Sequence, residues 1–141
     1  MPDLWGFKKI DKSDLQGTPH GLLKEQADFF DKKTDDYLYA RLKNRKLPSA
    51  VDDKYYFATN FDIVAPQLDG YSYTLLTIYS MPESDFPVAI SNNSTKKEEW
   101  EIEDYDHTCN NEKEFVEVIK EILQSQETMS IIRNLYSKSS Y

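Results

Sequence analysis

Hydrophobic positions along this chain repeat with two periods, and the changes of period divide it into helices and strands. Thr18-Pro19 sets a capping hydroxyl before a proline at the first helical position. Leu22, Leu23, Ala27 and Phe30 then recur at helical spacing, while Lys24, Glu25, Asp28, Asp31 and Lys32 take the other face. This predicts a helix ending near Lys33. After Thr34-Asp35-Asp36, Leu38, Ala40 and Leu42 alternate with Tyr37, Tyr39, Arg41 and Lys43, the pattern of a half-buried strand. Helix competes there, because Leu, Ala, Arg and Lys all form helices well. Leu47-Pro48-Ser49 with Asp52-Asp53 reads as a loop.

Two longer alternating runs follow. Tyr55, Phe57, Thr59, Phe61 and Ile63 oppose Tyr56, Ala58, Asn60, Asp62 and Val64. Tyr71, Tyr73, Leu75, Thr77 and Tyr79 oppose Ser72, Thr74, Leu76, Ile78 and Ser80. Asp69-Gly70 lies between them, so the pair reads as an antiparallel hairpin. Met81 to Asp85 connects to a short strand over Phe86 to Ser91, where Pro87 marks a start or an edge. Asn92 to Lys97 is a polar loop. Trp100 and Ile102 alternate with Glu99, Glu101 and Glu103, a last strand with one acidic face.

Helical periodicity then returns. Asn110 and Asn111 offer a cap ahead of Phe115, Val118, Ile119 and Ile122, and Ser125 can cap a helix bearing Met129, Ile132, Leu135 and Tyr136. The tail from Ser137 to Tyr141 is expected to fray. The expected fold is α+β, a single domain with an N-terminal helix, a mostly antiparallel sheet of about five strands and two C-terminal helices on one face. Residues 1–17 form an irregular arm whose Trp5 and Phe7 should pack on the body, and residues 18–141 form the domain.

With 141 residues the chain can bury roughly two-thirds of its unfolded surface. One cysteine, Cys109, suits a reducing compartment. No signal-like start or long apolar run appears, so the expectation is a cytoplasmic protein not associated with a membrane.

Net charge is −8, which argues against direct nucleic-acid binding. Residues 1–48 hold ten basic and eight acidic side chains, a balance of +2, whereas residues 49–141 hold seven and seventeen, a balance of −10. Such polarity suits a basic protein partner.

Chemistry-bearing residues are few. Asp104, Asp106, His107 and Cys109 bring carboxylates, an imidazole and a thiol together, the ingredients of a small enzyme or a metal-binding protein. A closed zinc site would want a second Cys or His pair, and none exists, so no metal or cofactor is expected. Glycine-rich phosphate loops, HExxH and GxSxG are absent.

The tyrosines crowd the strands instead. Tyr37, Tyr39 and Tyr73, with Glu99, Glu101 and Glu103, make the candidate partner-binding set, because tyrosine offers rigid area with a polar tip. Small size, acidity and a helix-flanked antiparallel sheet are similar in shape and charge to toxin-neutralising immunity proteins and secretion chaperones. The expectation is a non-catalytic, protein-binding adaptor. A homodimer through the strand surface is compatible with the same pattern.

Overall fold

The computed structural model describes residues 1–93 and 104–141. Its elements are α1 (Pro19–Lys33), β1 (Tyr39–Val51), β2 (Tyr55–Ala65), β3 (Tyr71–Met81), β4 (Ser84–Asn92), β5 (His107–Cys109), α2 (Glu112–Leu123) and α3 (Gln126–Ser140). Short 3₁₀ turns occupy Lys12–Leu15 and Pro66–Leu68. The strands form one antiparallel sheet in the order β1-β2-β3-β4-β5, so each neighbour in the sheet is a neighbour in the chain. The expected α+β architecture is therefore present.

Each helix starts where its cap predicts. Thr18 Oγ1 accepts from Gly21 N–H at 3.0 Å, Asn111 Oδ1 from Glu114 N–H at 2.9 Å, and Ser125 Oγ from Thr128 N–H at 3.2 Å. Leu23 and Ala27 of α1, Phe115, Ile119 and Ile122 of α2, and Leu135 of α3 enter one core with the sheet. From the sheet side that core receives Ala40, Phe61, Ile63, Ile78, Val88 and Ile90. A smaller cluster of Leu47, Tyr55, Ala58, Tyr79 and Ala89 is closed by Tyr105.

Four expectations are corrected. Leu47-Pro48-Ser49 is not a loop, because β1 continues to Val51. As β1 is an edge strand, Pro48 can stand where its missing N–H leaves no ladder bond unmade. The turn is confined to Asp52–Lys54, with Asp52 and Asp53 both at positive φ (52° and 57°) and Lys54 N–H donating to Val51 O. Aspartate is among the few residues that tolerate that conformation.

The alternation in β3 also breaks. Phe61 pairs with Leu76 but Asp62 pairs with Thr74, leaving Leu75 as the extra residue of a bulge. Leu75 and Leu76 both reach the main core, and the residues before the bulge change face relative to those after it. Tyr73 therefore joins Ile63 on the helix side, while Tyr79 lies in the small cluster on the other.

At the ends of the chain, α3 runs to Ser140 with Ser139 buried, so the tail is helical rather than frayed. Trp5 and Phe7 touch each other at a ring separation of 5.9 Å and remain 77% and 52% exposed rather than packing on the body. The strand expected around Trp100 and Ile102 lies outside the described residues; among those described, the fifth strand is His107–Cys109.

Candidate functional site

The predicted chemical cluster is dispersed by its own backbone. Asp106 accepts the Asn92 N–H at 2.8 Å, and Asp104 accepts the Tyr105 N–H at 2.8 Å. Both carboxylates thus bind backbone amides at the entry to β5. Regular pairing begins only at His107, opposite Ile90, so His107 and Cys109 point to the helix side. Tyr105, before that pairing begins, closes the opposite cluster against Tyr55 and Tyr79, and its hydroxyl donates to the Asp52 carboxylate. Cys109 is fully buried; burial pushes its thiol up to about 11, with the Glu114 carboxylate adding to the rise. Among the described residues, no three His, Cys, Asp or Glu side chains converge as metal ligands.

Of the predicted binding residues, Glu99, Glu101 and Glu103 lie outside the described residues. The three tyrosines do not share one surface. Tyr37 is exposed and meets Tyr136 edge-on at 5.5 Å. Tyr39 is exposed and points to the face opposite the helices, being next to the inward Ala40. Tyr73 is half-buried on the helix side, and its hydroxyl donates weakly to Asn93 O at 3.4 Å. Burial raises its phenol above the usual tyrosine range.

Three other features stand out. The first is the outer edge of β1. Among the described strands β1 forms the border of the sheet along all thirteen of its residues, with four cations (Arg41, Lys43, Arg45, Lys46) and no acid. Asp31 Oδ1 accepts the Ala40 N–H at 2.9 Å, which directs the Ala40 backbone away from β2. Antiparallel alternation then aims the backbone groups of Leu42, Asn44 and Lys46 the same way. Arg41 crosses to β2, where its Nε lies 3.4 Å from Asp62 Oδ2.

The second is a groove of about 550 Å³ between α1 and the α2–α3 pair. Phe61, Ile63 and Leu75 of the sheet make its floor, Leu22 and Phe29 stand on one wall, and Val116 and Met129 on the other. The third is a polar cleft of about 530 Å³ between the start of α1 and the β3–β4 hairpin. There Thr59 donates to Asn44 Oδ1 at 2.6 Å, so it accepts from His20 Nε2–H at 2.8 Å. Partial burial lowers the His20 pKa, opposed in part by the Asp85 charge.

The edge and the groove both depend on tertiary placement. The basic run in β1 was visible as composition, but its position at the border was not. No helix among the described residues is long and apolar enough to cross a membrane. No family model, curated protein or solved structure matches this chain, so its function is read from its own geometry.

Proposed function

We propose that this chain is a non-catalytic binding module that engages another protein by strand addition along β1, as a toxin-neutralising or chaperone-like adaptor would. One observation carries the reading: a thirteen-residue edge strand bears four cations and no acid in a protein of net charge −8. An added strand gains affinity from backbone hydrogen bonds and selectivity from its side chains.

Lysines and a proline on an edge also guard against indiscriminate pairing. Here the two roles agree, because Lys43 and Lys46 repel a second β1 while attracting an acidic strand. The reading therefore names an extended, acidic segment as the partner, the reverse of the basic partner suggested by overall charge. The same repulsion disfavours a homodimer paired through β1. Tyr37 and Tyr39 supply exposed aromatic area at the start of the strand.

The test uses a ten-residue peptide alternating Thr or Val with Glu, its Lys-for-Glu counterpart, and a version N-methylated on alternate residues. The acidic peptide should bind, should weaken as salt rises, and should lose at least tenfold in affinity to the variant K43E/K46E. Equal binding of the acidic and basic peptides, or indifference to N-methylation, would refute strand addition.

A further inference from the structure

Independently of strand addition, we infer that the groove between α1 and the α2–α3 pair is a binding site for a monoanionic amphiphile, an unbranched apolar chain ending in a carboxylate such as a free fatty acid. The chain's formal charge makes the lining unusual. Acidic residues outnumber basic ones by 25 to 17 overall, yet among the described residues no acidic side chain lines the groove, whereas Lys33 and Lys120 do. Helix phase explains the segregation: Glu25, Asp28 and Asp31 of α1 and Glu117 and Glu121 of α2 take positions off the groove-lining stripes.

The remaining polar contributors are few and mostly neutral. Gln26 and Gln124 are amides that can bond a carboxylate without opposing its charge. The Thr34 hydroxyl is already turned onto the Phe30 and Leu38 carbonyls, at 3.1 and 2.9 Å. Apolar floor and walls with two cations thus select a molecule that is apolar along its length and negative at one end.

Size suits a small molecule. The groove's 550 Å³ falls within the usual range for a bound small ligand. Phe29, Val116 and Met129 leave the rim partly open, at 54%, 43% and 48% exposure. Such an apolar opening on a soluble surface is a mark of a binding site.

The experiment titrates the full chain with decanoate, laurate and myristate, and with dodecanol as the uncharged counterpart of laurate. Variants K33Q/K120Q and V116W are measured alongside, with circular dichroism to show that each is folded. One molecule of laurate should bind per chain, with affinity rising about fourfold per added methylene until the groove is full. Laurate should bind at least tenfold tighter than dodecanol, and K33Q/K120Q should erase that preference while leaving dodecanol unchanged. V116W should weaken every ligand by filling the rim.

Equal binding of laurate and dodecanol to the wild type would overturn the inference. So would laurate binding insensitive to V116W. Displacement of laurate by a stoichiometric acidic amphipathic helix, at a lower concentration than myristate requires, would reassign the groove to a protein partner and overturn it equally. None of these outcomes bears on peptides added at β1, so the two proposals fail separately.

Discussion

His20 Nε2 stands 2.8 Å from the hydroxyl of Thr59, and this bond ties the first turn of α1 to the centre of β2. Thr59 donates its only hydroxyl hydrogen to Asn44, so the imidazole must supply the hydrogen between them. Neutral histidine can make this bond, and burial disfavours its charged form, lowering the folded pKa below the usual 6.5. The unfolded chain then binds the proton more readily than the folded one. The His20 contribution to stability is complete above about pH 6.5 and is lost as pH falls from there through the folded pKa. Denaturant midpoints at pH 7.5 and 5.5 should differ more for wild type than for H20Q. An equal pH dependence in the two proteins would contradict this.

Gly21 is held by a neighbour rather than by its own backbone angle. A Cβ there would lie 2.3 Å from Leu15 O, which the chain brings close as the 3₁₀ turn runs into the Thr18 cap. Alanine ordinarily favours a helix by about 1 kcal/mol over glycine. Here a clash against backbone should reverse the sign, with G21A costing about 1–3 kcal/mol. A denaturant curve in which G21A gains stability would mean the preceding turn detaches freely.

Arg41 and Asp62 form an asymmetric pair: the aspartate is 3% exposed, whereas the arginine remains partly in solvent. Asp62 also accepts the Thr74 hydroxyl at 2.6 Å. Removing the cation strands a buried carboxylate, so R41A should cost about 1–2 kcal/mol, less than for a wholly buried pair. In R41A/D62N the amide still accepts from Thr74 and no charge is left over. The double variant should therefore be more stable than R41A alone, and a thermodynamic cycle of the four proteins measures the coupling.

Tyr55 is fully buried, yet its hydroxyl finds no hydrogen-bond partner among the described residues. Phenylalanine preserves the edge-on contact with Tyr105, at 6.0 Å between rings, and removes the unmatched polar atom. Y55F should raise stability by up to about 1 kcal/mol. A loss on thermal unfolding would show that the hydroxyl is satisfied in solution.

The helices were legible because their signals are local. Thr18, Asn111 and Ser125 each place a side-chain oxygen where the first turn needs an acceptor, and the apolar stripes follow at once. The β2–β3 hairpin was legible from alternation and Asp69-Gly70, but the bulge at Leu75 was not, because both leucines suit either face. Pro48 misled for a related reason: proline ends a central strand and is tolerated on an edge, and edge position is a property of the whole sheet. Similarly, Asp104, Asp106, His107 and Cys109 are close in sequence, but their backbone pairing turns them to different tasks. The groove left no trace in the sequence, since its width depends on how far apart the sheet holds two helical stripes.

The meander has a kinetic corollary. Each of the first three strands pairs with the next across a turn of five residues or fewer, so β1 to β4 can zip hairpin by hairpin with little loop-closure entropy at each step. The two walls of the groove precede and follow the sheet in the chain, so the groove is complete only when both have docked on the strands between them.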